Sequence, residues 1–355
     1  MGNKMKILFA IQGTGNGHLS RAKDVIPALM KRAEVDLLVS GIQADIDLPY
    51  EVKYRYKGMS FIFGKKGSVD IYKTIKSNKM RRLYREIKSC PVEKYDLVIN
   101  DFEPISAWAA KLKGVPCFSL SHQCALLSDK VPQPHHKDRL GWFIIKNYAP
   151  VNQSYGFHFK RYDENIFTPV IRSEVRQQKV TDKGHITVYL PAYGDEKIIK
   201  ILSKIKGTEF EVFSKHASKC YRTQNVKINK IDAGLFSQSM AAAHGVLCGA
   251  GFETPAETLF LGKKLLVIPM KRQYEQHFNA EGLRDIGVPV ISKLSKKYIS
   301  NIRTWVENDQ KIAVDFPDET QFIVDKLIHD YNTLTIVRPE KRRFNLFPKI
   351  ELIRA

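Results

Sequence analysis

The sequence predicts an α/β protein made of two Rossmann-like, doubly wound parallel-sheet domains. Three observations lead there. Buried-strand segments alternate with amphipathic helical segments from residue 5 onward. The alternation stops in a polar stretch over 172–184, which contains Glu174, Arg176, Gln177, Gln178 and Lys179, and then restarts. A chain of 355 residues also exceeds one ordinary core, at roughly 100–200 residues per domain. Strand–helix alternation of this kind gives parallel strands with helices on both faces of the sheet.

The first half opens with MKILFAI (5–11), a continuous apolar strand. Residues 19–32 follow with helical spacing at Leu19, Ala22, Val25, Ile26 and Leu29. VDLLVS (35–40), DLVIND (96–101) and VPCFSLS (115–121) are further strands, the last two separated by a helix over 103–113. In the second half HITVYLP (185–191), FEVFS (210–214) and VKINKI (226–231) read as strands. Helices over 234–243, 253–261 and 274–285 then alternate with GVLCG (245–249), KLLVIPM (264–270) and VPVIS (288–292). The implied domains are 1–172 and 173–330. The basic segment 331–355 is a tail or a last strand, expected to pack back on the first domain.

Composition narrows the function classes. A hydrophobic fraction of 43% is enough for packed cores and excludes a disordered polymer. The formal charge of +20 favours anionic partners: nucleic acid, phosphorylated ligands or an anionic membrane surface. Five cysteines, an odd number without C-x-x-C spacing, argue against a zinc site and a disulfide framework, so no metal is expected. A reducing cytoplasm is the simplest compartment. The apolar run Ile7–Ile11 leads into a glycine loop, which marks a first strand rather than a signal peptide. No window approaches the ~20 apolar residues of a membrane-spanning helix.

Chemistry concentrates where strands end. The first strand runs into Gln12, Gly13, Thr14, Gly15, Asn16, Gly17 and His18. Glycines let the backbone turn sharply and approach a ligand, and the next helix offers free N–H groups. A dinucleotide fingerprint would need G-x-G-x-x-G and an acid about 20 positions on. Here His18 stands in place of the third glycine, and the second strand ends in Val39-Ser40-Gly41 without an acid. His18 sits at the carboxyl edge of the sheet, where ligands bind in open α/β folds, and a histidine there can be a general base. A helix-start histidine that only bonds loop backbone is the competing reading. Asp101 closes the fourth strand at the same edge, either to orient His18 or to cap the helix that begins near Glu103. Ser121, His122 and Gln123 end the fifth strand and are candidates for acceptor-side contacts.

The second half carries two such loops. Gly249, Ala250, Gly251, Phe252 and Thr254 follow a strand and open a helix whose N-terminus suits a diphosphate. Glu257, one turn inside, can accept hydrogen bonds from two ribose hydroxyls or simply favour the helix start electrostatically. After the next strand come Lys271, Arg272, Glu275 and Gln276. The last two offer groups for adjacent sugar hydroxyls and the first two meet phosphate charge. A solvated polar loop is the bland alternative.

On these residues the chain resembles the GT-B glycosyltransferases, in which two such domains face a cleft. It is most similar to the branch containing the lipid-linked N-acetylglucosaminyltransferase of peptidoglycan synthesis (glycosyltransferase family 1/28-like). Four blocks carry the resemblance in order: GTGNGHLSRA, DFEPISAWAAKLKGVPCFSLSHQ, CGAGFETPAETLFLGKKLLVIP and EQHFNAEGL. The resemblance implies transfer of a sugar from a nucleoside diphosphate donor, a UDP-sugar by expectation, to a hydroxyl acceptor. It implies inversion at the anomeric carbon, with neither metal nor cofactor. Ile231 would lie beside the base, and Glu257 would hold the ribose. Gly251, Phe252 and Thr254 would meet the diphosphate, Glu275 and Gln276 the sugar, and His18 would take the acceptor's proton. The chain departs from the pattern at Gly249, where many relatives carry a His or Arg aimed at phosphate. That shifts weight to backbone amides, Lys271 and Arg272.

Segment 70–89 places Lys73, Lys76, Lys79, Arg81, Arg82, Arg85 and Lys88 around Ile71, Ile75, Leu83 and Ile87. Such a helix lies on anionic lipid or is the solvated face of a packed helix. GMSFIFG (58–64) fits a lipid-facing loop or a buried strand. The expectation is a cytoplasmic enzyme, peripheral at the inner membrane face, with a lipid-linked or cell-envelope acceptor. Competing readings are a sugar-nucleotide 2-epimerase of the same architecture and a non-catalytic sugar-nucleotide sensor. Nucleic-acid binding finds no supporting motif.

Overall fold

The computed structural model describes residues 4–41, 48–59, 80–135, 138–271 and 273–333. The first half is a seven-stranded parallel sheet made of β1 (Lys6–Gln12), β2 (Glu34–Ser40), β3 (Val52–Tyr56), β4 (Leu97–Asp101), β5 (Cys117–Ser121), β6 (Gln153–Phe157) and β7 (Ile166–Phe167). Their spatial order is β3-β2-β1-β4-β5-β6-β7. Helices α1 (Asn16–Met30), α2 (Met80–Ser89), α3 (Pro104–Lys113), α4 (His122–Ala125) and α5 (Arg139–Asn147) connect them. The second half contains β8 (Ile186–Tyr189), β9 (Phe210–Ser214), β10 (Tyr221–Thr223), β11 (Val226–Lys230), β12 (Gly245–Gly249) and β13 (Lys264–Ile268). They lie in the order β10-β11-β9-β8-β12-β13, with only the short β10 antiparallel to its neighbour. Its helices are α6 (Ser173–Arg176), α7 (Asp195–Leu202), α8 (Ala233–Ala242), α9 (Glu253–Phe260), α10 (Tyr274–Asp285), α11 (Ile299–Glu307) and α12 (Thr320–Thr333).

β1 shows why these sheets are covered twice. Ile7, Phe9 and Ile11 enter one core cluster, while Leu8 and Ala10 enter another on the opposite face. Chain order reverses between β1 and β4 in one sheet and between β8 and β12 in the other. Ligands of doubly wound sheets bind outside the strand ends at such reversals. The glycine loops after β1 and β12 occupy those two places.

Several elements differ from expectation. α1 starts at Asn16 rather than 19, because Gly15 at φ +97° turns the chain directly out of β1. Residues 288–292 form no full strand. Val290 alone bridges Val267, through bonds of 3.2 Å from the Val267 amide to Pro289 and 3.1 Å from the Ile291 amide to Val267. Pro289 has no N–H for a longer ladder. α12, placed by the sequence within the second domain, packs on the first instead. Arg32 reaches Asp325 at 2.7 and 2.6 Å, and the Tyr155 hydroxyl donates to Asp330 at 2.7 Å. The chain therefore crosses between the halves twice, once before α6 and again before α12. The crossing segments are laced together: Thr168 donates to Glu319 at 3.2 Å and Arg176 to the Phe316 carbonyl at 3.0 Å. Residues 334–355, and segment 60–79 with most of GMSFIFG, lie outside the described residues. In α2, Leu83 and Ile87 are buried in the first-half core, while Arg81, Arg85 and Lys88 point outward.

Candidate active site

β1, β4 and β5 are neighbours, so the loops after Gln12, Asp101 and Ser121 meet at one edge. The Gly13 amide bonds the Ser40 carbonyl at 2.6 Å, tying the loop to β2. A Cβ on Gly13 would stand 2.9 Å from Val39, so only glycine lets the loop lie this close. α1 then begins, and His18 sits in its first turn, buried. Asp101 caps nothing. That task falls to Glu103, whose carboxylate accepts from the Ile105 amide at 2.7 Å and the Ser106 amide at 2.6 Å. Asp101 is left free to face His18, with 2.8 Å between its Oδ1 and His18 Nδ1. A carboxylate only accepts, so Nδ1 carries the proton. His18 Nε2 then accepts, 3.2 Å from the Gln123 amide nitrogen.

Sequence reasoning missed Arg21. It lies one turn beyond His18, and its guanidinium is 1% exposed. It donates to both oxygens of Asp101, at 2.7 and 2.8 Å, and to Glu253 of the second half. The missed signal was positional: Arg21 falls within the buried stripe of α1, beside Ala22 and Val25. Burial pushes the Asp101 carboxyl up, but Arg21 and His18 outweigh it and hold its pKa at about 2.

The second half meets this edge directly. His122 Nε2 lies 2.9 Å from Glu275 Oε1, and the Gln123 amide donates to Glu275 Oε2 at 3.3 Å. Burial raises the Glu275 carboxyl, and the His122 charge and hydrogen bond, with His18 and Gln123, overcome that to leave it at about 2. The His122 ring stacks on Phe252, with centroids 4.6 Å apart and planes 4° from parallel, and stands 5.8 Å from the His18 ring. Phe252 is thus held by its ring against the first half. The amides that open α9 receive no side-chain cap. Glu257 is buried and gripped by Nε and Nη2 of Arg172, the latter at 2.8 Å, while Nη1 goes to Glu174. Burial opposes charge on both partners, and the two-pronged contact holds Arg172 in its charged form.

The remaining expected residues divide. Gln276 accepts from the Met270 amide at 2.9 Å and lies under Gly249. Ile231 is exposed at the end of β11, with exposed Leu235 beside it on α8. Lys271 is exposed near α10, and Arg272 lies outside the described residues. Thr254 and Gly251 border the α9 entrance, while Ala250 is fully buried and its carbonyl accepts from Asn279 at 3.2 Å. Gly17 approaches Glu253 so closely that a Cβ there would stand 3.1 Å from its Cγ. Among the described residues, Thr14 Oγ1, His122 Nδ1, Gln123 Oε1 and Asn279 Oδ1 are buried polar atoms without a protein partner. Buried polar atoms are ordinarily paired, and these four leave hydrogen-bonding capacity unused in this region.

Two doubly wound sheets whose strand-end loops face each other, with a buried His–Asp pair on one side, are the arrangement of the GT-B fold. The chain matches the model of Glycosyl transferase family 1 over residues 5–308 and belongs to that family. Solved structures agree in fold. MurG of Acinetobacter baumannii aligns at 16% identity over 92% of this chain and 99% of its own, with a TM-score of 0.54. UGT2 of Phytolacca americana, solved with UDP-2fluoro-glucose and pterostilbene, aligns at 14% identity over 94% and 95%, with a TM-score of 0.57. SsfS6 of Streptomyces sp. SF2575, solved with thymidine diphosphate, aligns at 13% over 92% and 99%, with a TM-score of 0.52. No curated protein sequence matches significantly.

Proposed function

We propose that this glycosyltransferase moves a sugar from a nucleoside diphosphate donor, a UDP-sugar first, to a hydroxyl acceptor by one inverting displacement without metal. The observation that carries the reading is the His18–Asp101 contact of 2.8 Å at the edge facing Glu275 and the start of α9. His18 Nε2 takes the acceptor hydroxyl's proton as its oxygen attacks the anomeric carbon. The bond from that carbon to the diphosphate oxygen breaks, and the nucleoside diphosphate departs. Asp101 stabilises the imidazolium that forms. The free amides of α9, with Gly249, Gly251, Thr254 and Lys271, receive the departing charge. The exposed ledge of Ile231 and Leu235 suits the face of a base. Glu257, Glu275 and Gln276 bind hydroxyls of ribose and sugar, exchanging their present partners for the donor. Gly13 to Gly17, His122 and Gln123 line the acceptor side.

The acceptor reading is lipid-linked or cell-envelope glycan, met at the inner face of a membrane. The outward Arg81, Arg85 and Lys88 of α2 support it, since near-surface cations contribute about 1 kcal/mol each on anionic lipid. No described helix is long and apolar enough to cross a membrane. Equal recovery of the protein with neutral and anionic vesicles at low salt would remove this part.

A thermal-shift panel of sugar nucleotides, then anomeric analysis of the product from the best donor, tests the main reading. Transfer with inversion is expected, falling about 10²- to 10⁴-fold in His18→Ala. A retained anomer, or a 2-epimerised sugar nucleotide formed without acceptor, overturns it.

A further inference from the structure

We propose that Arg21 is a positioning residue through which the second half of the molecule tunes the base in the first. The inference rests on the reading of His18 as that base. Arginine is almost never fully buried unless paired, and Arg21 is paired on both sides of the cleft. Its Nη2 alone reaches both oxygens of Asp101, at 2.7 and 2.8 Å, and so holds Oδ1 at His18. Its other arm takes Glu253, the first residue of α9, and Phe157 lies 5.4 Å from its charge. The same guanidinium comes within 3.3 Å of His18 Nδ1.

The signs follow from position. Asp101 favours the protonated imidazole and Arg21 opposes it. Glu253 offsets Arg21, so it favours the proton again, and it does so only while the second half is seated. Opening the cleft withdraws Glu253 and returns the full positive charge to the His18–Asp101 pair, which weakens the base. The other titratable groups facing the cluster are His122 and its partner Glu275, the Cys124 thiol, which burial keeps neutral, and, on the Glu253 side, Arg172 with its partner Glu257.

The test uses the full chain labelled with ¹⁵N-histidine, with the His18 imidazole titration followed by NMR and assigned with His18→Gln. The kcat/KM pH profile with the best UDP-sugar is recorded in parallel. Arg21→Met should raise the His18 titration, and the acid limb with it, by about one pH unit. Glu253→Gln should move both the other way. Arg21→Lys should keep the wild-type titration while kcat falls, because the charge remains and the separate Nη1 and Nη2 contacts that join Glu253 to Asp101 are lost. Shifts of the same sign in Arg21→Met and Glu253→Gln, or no shift in either, overturn the proposal. Should Arg21→Met not fold, an unmoved His18 in Glu253→Gln overturns it alone. The titration needs no turnover, so a failed base assignment, seen as wild-type transfer by His18→Ala, is distinguished from failed coupling.

Discussion

Replacing Asp101 with asparagine keeps its shape and removes the charge that the buried Arg21 guanidinium and the His18 ring share. The Asp101 carboxyl falls from its ordinary 3.8 to about 2, which corresponds to about 2 kcal/mol of stability at neutral pH. Because the folded value is depressed, this contribution is present above pH 3.8 and disappears as pH falls through about 2. The amide also leaves the Arg21 guanidinium with Glu253 alone, and breaking a buried pair costs about 3–5 kcal/mol. At the lower bound the melting temperature should fall by about 6–12 °C, since 1 kcal/mol moves a domain of this size by about 2–4 °C. Calorimetry at pH 7 measures the fall, and repetition near pH 3 should show the gap narrowing. The double substitution Arg21→Met with Asp101→Asn should recover part of the loss, because replacing both members of a buried pair is often nearly neutral. A single variant melting within about 2 °C of wild type, or a double variant no better than the single, refutes the reasoning.

Two further outcomes are expected. Glu257→Gln should weaken UDP binding about ten- to a hundredfold by calorimetric titration, the range for a hydrogen bond to a charged group. Unchanged affinity would exclude the ribose role. Gly141→Ala should push α5 away from α10, since its Cβ would stand 2.7 Å from Tyr274 Cβ; a stability loss of about 1–3 kcal/mol in urea is expected. A stabilised variant would show that these helices are not in the contact described.

The sequence made β1, β12 and their glycine loops legible because buried parallel strands and close backbone turns need particular residues in unbroken runs. His18 and Asp101 were readable as strand-edge residues, and their contact was one of two readings for Asp101. The structure separated them by giving the cap to Glu103, whose side chain was better placed by two residues. β6 and β10 escaped notice because they are short and partly polar, so alternation is weak, whereas β3 alternates but is only five residues long with no fully buried position. Arg21 and Glu253 each resemble ordinary helix residues along the chain. Their meaning appears only when 232 positions of sequence are folded between them. Arg172 was read as the edge of a linker for the same reason, although it grips the residue expected to bind ribose.

The double crossing behind the cleft has a mechanical consequence. One tether would let the halves swing, slide and twist. Two tethers joined to each other at Thr168–Glu319 and Arg176–Phe316 restrict the sliding and twisting that one tether would allow. The register in which His122 meets Glu275 across the halves is thus supported from a second place, by side chains on the crossing segments.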